Sequence, residues 1–296
     1  MITGERPEQG EAAFKHRKSV AAIGECMVEL AHVGPQSLQM AFGGDTSNTA
    51  VYLARLTSGH EIDVHFVTAL GDDLYSEAML AFWQDEGVKT GRIVRLQGRL
   101  PGLYTIRTDE FGERSFTYWR GQAAARDLLK EQRDVELEKA LFGFDLIYLS
   151  GITLSILDPG QREVLLALLD RLRAAGSKIA FDGNFRNAGW PSLAVARDWF
   201  RRILERTDIA LPTLDDEVQL FGDPDERAVA KRLHSFGVPE VVVKLGPRGC
   251  FLSGQHAETF VDTEPVEPVI DSTAAGDSFN AGYLKGRLLD VSAKDA

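Results

Sequence analysis

Residues 144–182 read FDLIYLSGITLSILDPGQREVLLALLDRLRAAGSKIAFD, and this stretch decides the fold. Leu146–Ser150 is a short apolar run that predicts a buried strand. Asp158-Pro159 reads as an N-cap followed by proline at the first helical position. Val164, Leu165, Leu168, Leu169 and Leu172 then recur at helical spacing, and Gly176 supplies the stop. Lys178–Asp182 is a second strand. Strand, helix and strand in this order make a parallel βαβ unit.

The alternation extends to both sides. Strands are predicted over 20–30, 64–69, 209–212, 240–245 and 250–253. Helices are predicted over 47–56, 76–86 and 277–289, from a Ser192 cap to about 206, and from Asp223-Pro224 to before Gly237. Repeated βα units predict an α/β fold: a doubly wound, mostly parallel sheet flanked by helices. Ligands in such sheets sit at the carboxyl ends of the strands. Residues 99–120 break the pattern. Two stretches rich in β-branched and aromatic residues, 103–108 and 115–120, flank the polar turn Asp109-Glu110-Phe111-Gly112 and predict a β-hairpin. With the segment near 27–42 it predicts a small β-sheet lid. The expected organisation is a disordered tail over 1–18 and one domain over 19–296 carrying that lid.

Composition narrows the function. Of 296 residues 44% are apolar, enough for a sizeable core. The 44 acidic against 33 basic residues argue against nucleic acid or an anionic membrane as partner, but not against a small anionic substrate. Two cysteines, Cys26 and Cys250, form neither a disulfide framework nor a zinc spacing, and fit a reducing cytoplasm. The polar segment 1–18, with Lys15-His16-Arg17-Lys18, lacks the apolar stretch of a secretory signal. No apolar run reaches the ~20 residues of a membrane helix.

The chemistry concentrates in Asp271-Ser272-Thr273-Ala274-Ala275-Gly276-Asp277-Ser278-Phe279-Asn280-Ala281-Gly282. Small residues lead from a strand-like Val269-Ile270 into a helix. Amides at a helix start lack internal partners, and with the helix dipole they form an anion hole. Ala274, Ala275 and Gly276 leave room for a phosphate to approach the backbone. A carboxylate at Asp277 repels a phosphate ligand, but it is well placed to take a proton from an attacking hydroxyl. Read alone, Asp277 is equally an ordinary N-cap.

Residues 271–279 resemble the C-terminal signature of the ribokinase-like carbohydrate kinases. Their Thr-Ala-Ala-Gly-Asp-Ser-Phe form is similar to that of bacterial 2-keto-3-deoxygluconate kinases. Ala274 stands where many members carry glycine. The resemblance implies that Asp277 is the catalytic base and that the amides of 274–277 hold the transferring phosphoryl group. Phe42-Gly43-Gly44-Asp45-Thr46-Ser47-Asn48 resembles the sugar-binding segment, with Gly44, Asp45 and Asn48 as ligands. Leu100-Pro101-Gly102-Leu103-Tyr104 and the segment 117–124 resemble the lid strands. Tyr104 is expected to cover the sugar and bond it through its hydroxyl, and Arg120 is a further candidate to face the ligand. Asp182-Gly183-Asn184-Phe185-Arg186 resembles a segment in which Asn184 meets the nucleotide. Arg186 suits the carboxylate of a sugar acid or the phosphates of ATP; the sequence does not separate the two.

Leu211-Pro212-Thr213-Leu214-Asp215-Asp216-Glu217 stands where the family has an Asn-x-x-Glu motif that orients magnesium-bound water. Thr213 replaces the asparagine, and either Asp216 or Glu217 could supply the acid. Lys244, Gly246 and Gly249 match a turn that approaches the nucleotide. The resemblance implies ATP and Mg2+, with a monovalent cation as a further option, and homodimers paired through the lids. Members run on the order of 25–40 residues past the signature helix, so with Ala296 as its last residue this chain is expected to miss part of the adenine wall. The implied reaction is phosphorylation of 2-keto-3-deoxygluconate to the 6-phosphate. A sibling fructokinase or ribokinase, or a sugar- and nucleotide-binding protein without turnover, are the alternatives. A dehydrogenase is disfavoured because the first βα turn has no Gly-x-Gly-x-x-Gly.

Overall fold

The computed structural model describes residues 17–34, 36–57, 62–109, 114–131, 133–254, 257–264, 266 and 273–296. Residues 1–16 of the expected tail, residues 110–112 of the hairpin turn, the strand-like 269–270 and Asp271-Ser272 lie outside the described residues. The chain enters through β1 (Lys18–Ile23), then β2 (Met27–Gly34), β3 (Ser37–Gly43) and α1 (Asp45–Thr57). Next come β4 (Ile62–Val67), β5 (Ala69–Leu70), α2 (Leu74–Asp85), β6 (Val94–Arg95), β7 (Gly102–Thr108) and β8 (Arg114–Trp119). The centre holds α3 (Asp134–Leu141), β9 (Leu146–Ser150), α4 (Gly151–Ile156), α5 (Pro159–Ala174), β10 (Lys178–Asp182) and α6 (Leu193–Leu204). The last part holds β11 (Ile209–Ala210), α7 (Leu214–Phe221), α8 (Glu226–Ser235), β12 (Glu240–Lys244), β13 (Cys250–Ser253), β14 (Glu258–Val261) and α9 (Ala275–Leu288).

Among the described residues the main sheet runs β14-β13-β12-β11-β10-β9-β1-β4, parallel except for β13 and β14 at one edge. Ala22 lies opposite Phe66 on one side and Tyr148 on the other, which puts β1 inside the sheet. Alternate residues of each strand feed opposite cores. Ala21, Ile23, Ile147 and Leu149 join α3 to α8, whereas Val20, Ala22, Leu146 and Tyr148 join α1, α2 and α9. Each large side chain fully buried this way, such as Trp83 or Phe200, contributes roughly 1.5–3 kcal/mol, so both faces are held by many modest terms. The βα junction read from the sequence is in place: Asp158 accepts from the Gln161 amide at 2.9 Å, and Pro159 opens α5.

A second sheet, β3-β2-β7-β8, stands apart and is built from 27–43 and 102–119. The expected strand 20–30 is therefore two strands in two sheets. Gly24 donates its amide to Val67 at 3.1 Å and ends the first. A Cβ there would sit 2.1 Å from Thr46 Oγ1, so α1 packs directly on the break. Lys18 opens β1, and Arg17 pairs with Asp63 at 2.6 Å, although both fall inside the segment expected as tail. The helix expected from Asp223-Pro224 starts at Glu226, because Asp225 caps it by accepting from Ala228 at 2.8 Å, while Asp223 pairs with Arg232. Three short helices, α3, α4 and α7, escaped the sequence reading.

Candidate active site

The carboxyl ends of β1, β10, β11 and β12 and the start of α9 surround a cavity of about 750 Å³ roofed by the lid. A cleft of about 650 Å³ lies among the opposite strand ends, where Lys18 pairs with Asp145 and Arg287 with Glu240. Convergent polar groups lie in the first cavity.

Its floor begins at Gly44. A Cβ there would meet the Glu25 carbonyl oxygen at 2.1 Å, so only glycine lets α1 start this close to the end of β1. Asp45 follows and is held from two sides: Oδ1 accepts the Thr46 amide at 2.8 Å, and Oδ2 accepts Asn184 Nδ2 at 2.7 Å. Burial pushes its pKa up, against hydrogen bonds from Ser150 and Asn184 that favour the anion. Asn184 therefore joins the start of α1 to the end of β10, and it does so at a positive φ of 33°. One turn along α1, Asn48 Nδ2 donates to Asp277 Oδ2 at 2.8 Å.

The opposite wall is the start of α9. Ala274 adopts the left-handed conformation, φ 60°, and the helix's first backbone bond runs from the Ser278 amide to the Ala274 carbonyl at 2.9 Å. Among the described residues the amides of Ala275, Gly276 and Asp277 have no hydrogen-bond partner, and all three residues line the cavity. Burial, reinforced by the charge of Asp45, raises the Asp277 carboxyl to about 7. The Asn48 bond and the charge of Lys244 act the other way. Asp277 is thus poised near neutrality beside free amides, the balance a general base needs.

Lys244 lies beneath that wall. Its Nζ donates to Asp182 Oδ1 at 3.0 Å and to Asn280 Oδ1 at 3.1 Å, and Asn280 Nδ2 donates to Asp182 Oδ2 at 2.7 Å and to the Tyr148 hydroxyl at 3.0 Å. A Cβ on Gly276 would come 3.7 Å from Nζ, so the ammonium underlies the amides. Lys244, expected to approach the nucleotide, lines the cavity, 8% exposed, with its ammonium held by the buried Asp182 carboxylate. Gly246 and Gly249 form the β12–β13 turn with φ of 60° and 82°, and neither lines the cavity. Gly249 answers to packing, since a Cβ would meet the Val261 carbonyl at 2.0 Å.

The two acid candidates separate. Asp216 lines the cavity, accepts the Phe185 amide at 3.2 Å and pairs with Arg186 at 3.4 Å. Glu217 is 2% exposed, turns away and pairs with Arg232. Thr213 lines the cavity where α7 starts and makes no side-chain capping bond. Tyr104 is in the cavity wall, its ring 5.8 Å from Tyr118, but its hydroxyl donates to Glu29. The Tyr104 ring lines the site, and its hydroxyl, while donating to Glu29, keeps its acceptor lone pairs. Arg120 and Arg186 are the arginines that line the cavity.

Sequence reasoning gave no role to Asp182, Asn280, Tyr118 or Glu25. A signal existed for two of them. Glu25 is a charge inside the apolar run 20–30, and Asn280 is a polar residue on the inward face of α9.

The profile of the pfkB family carbohydrate kinases matches residues 17–296. The chain is 48% identical over 283 residues to the 2-dehydro-3-deoxygluconokinase of Escherichia coli K12, covering 94% of this chain and 91% of that protein. It is 49% identical, with the same coverage, to the enzyme of that name from Dickeya dadantii. Among solved structures, a 2-dehydro-3-deoxygluconokinase from Thermotoga maritima superimposes with a TM-score of 0.83 at 21% identity, over 95% of this chain and 89% of that one, which bears on the fold alone. A Xylella fastidiosa fructokinase with bound ATP gives a TM-score of 0.80 at 26% identity over 94% of this chain and 84% of that one.

Proposed function

Because the chain belongs to the pfkB family of carbohydrate kinases, we propose that it transfers the terminal phosphoryl group of ATP to the 6-hydroxyl of 2-keto-3-deoxygluconate, the acceptor named by its relatives at 48–49% identity. The observation that carries this reading is Asp277, raised to about 7 and standing in the cavity wall on the same helix turn as the backbone amides of residues 275–277, which have no partner among the described residues. Asp277 takes the hydroxyl proton as the oxygen attacks, and the O–H bond gives way to an O–P bond while ADP leaves. The amides of Ala275, Gly276 and Asp277 receive the charge that spreads over the phosphoryl oxygens, with Lys244 beneath them. Asp45, Asn48 and Gly44 form the sugar floor, and the rings of Tyr104 and Tyr118 exclude water from above. We assign the acid's carboxylate to Arg120 and Arg186, since a guanidinium binds a carboxylate through two parallel bonds.

Among the described residues no group of three or more His, Cys, Asp or Glu could hold a metal. Mg2+ would ride on the nucleotide's phosphates, with the cavity-lining Asp216 and Thr213 reaching its water shell, and would neutralise phosphate charge. No helix among the described residues is long and apolar enough to cross a membrane. A homodimer is part of the same proposal: Leu38, Met40 and Trp119 of the lid sheet are 48–59% exposed, and a second lid would cover them. Light scattering reads that state.

Steady-state ADP release over a sugar panel tests the reaction. The keto acid should exceed fructose and ribose in kcat/KM. A neutral sugar turned over faster would make this a sibling kinase, and binding without ADP release would remove catalysis from the reading. Replacing sodium with potassium in the same assay reads any need for a monovalent cation.

A further inference from the structure

Glu25 occupies the short link between β1 and β2, where the chain leaves the main sheet for the lid. Its side chain is 1% exposed, and the residue lines the cavity wall. Oε2 accepts from Nη2 of Arg120, just past the end of β8. Among the described residues Oε1 is buried without a hydrogen-bond partner, and so is Arg120 Nε. A buried ion pair satisfied at one contact, with a spare polar atom on each side, is poor ground for stability. The packing nevertheless makes room for it. A Cβ on Gly102 would come 2.9 Å from Oε1 and 3.2 Å from Arg120 Cβ, so glycine at the start of β7 keeps the pair's space open.

Arg120 is only 23% exposed, and Tyr118 shields it, the guanidinium lying 5.9 Å from the ring centre. A guanidinium has five donors fixed in one plane. Once Glu25 holds an Nη2 hydrogen, the direction of the others is set.

Resting on the sugar-acid reading above, we propose that Glu25 is a positioning residue: it holds Arg120 in the orientation that meets the substrate's carboxylate. Since Glu25 sits on the link between the sheets, it references the arginine to the main sheet as well as to the lid. It also offsets part of the arginine's charge, so recognition depends on geometry more than on attraction.

The test is a double-mutant cycle with Glu25→Ala, Arg120→Ala and the pair together, reading kcat, KM for the keto acid and KM for ATP. Glu25→Ala should raise KM for the keto acid about tenfold, leaving kcat and KM for ATP within about twofold. The double variant should be no worse than Arg120→Ala alone, because a residue that works through another has nothing left to lose. Glu25→Gln keeps an acceptor oxygen and should recover most of the loss. If Glu25→Ala does not fold, Glu25→Asp withdraws the carboxylate by one methylene and is read the same way. Additive losses, an equal rise in both KM values or an unchanged KM each overturn the proposal. A crystal structure of the Glu25 variant decides it independently of any sugar: Arg120 displaced supports it, and Arg120 unmoved ends it. Wild-type protein inert towards the keto acid would instead sink the functional reading, and the crystal structure would then judge this inference alone.

Discussion

Asn48 and Asp277 are 229 positions apart in sequence, and the amide nitrogen of one meets the carboxylate of the other at 2.8 Å. The bond favours the charged form of Asp277 against the burial that disfavours it. Removing it by Asn48→Leu should move the acid limb of the kcat/KM profile to higher pH. Activity lost at pH 7 should return in part at pH 9. A parallel drop at both pH values would assign Asn48 to the sugar alone.

Asp277→Asn should lower kcat by about 10³-fold, the range expected of a general base, with little change in KM for ATP. The same variant has a stability signature. Asp277 titrates near 7 in the folded protein, above the ordinary aspartate value of about 3.9. The folded state therefore binds more protons between those values, and stability falls as pH rises through the window. Asparagine does not ionise, so Tm of the variant should exceed wild type at pH 8 and converge with it near pH 4. An advantage that persisted at pH 4 would point to a packing cause.

Lys244→Met leaves Asp182 buried without its cation and should destabilise by about 3–5 kcal/mol. Denaturant unfolding measures this. Lys244→Met with Asp182→Leu should regain part of the loss, because no orphaned charge remains. Turnover should stay low in both, since the ammonium under Gly276 is gone.

Asp216→Asn should raise the Mg2+ concentration needed for half-maximal activity several-fold, whereas Glu217→Gln should leave that requirement unchanged. A metal titration of the two variants side by side separates the residues. Glu217, buried against Arg232 and raised to about 7, belongs to the packing of α7 on α8.

Gly44→Ala drives a methyl group into the Glu25 carbonyl, a backbone atom that cannot rotate away. It should cost about 1–3 kcal/mol, read as a lower urea midpoint. Gly276→Ala meets only an ordinary contact with Lys244 Nζ at 3.7 Å, so its loss should appear in kcat and not in stability.

The sheet was legible because its strands are apolar on both faces and its long helices carry caps and stops in plain sight, as at Asp158-Pro159 and Gly176. The signature also pointed to residues 274–277, which line the cavity, although the helix begins at Ala275 and not at Asp277. What stayed hidden depends on distance in space. Nothing local says that the chain changes sheets at Gly24, that Asn184 reaches Asp45, or that the Tyr104 hydroxyl donates to Glu29. The choice between Asp216 and Glu217 turned on a helix of eight residues, α7, too short to show a clear period.

The packing of α1 against α9 has a consequence for biogenesis. These are the first and last helices of the described chain, and Ala50, Val51 and Leu53 of one share a core with Ala281 and Leu284 of the other. A nascent polypeptide still lacking α9 leaves that face of α1 bare. Segments made before α9 therefore present an apolar face that only this later helix covers, and they are exposed to aggregation until it arrives.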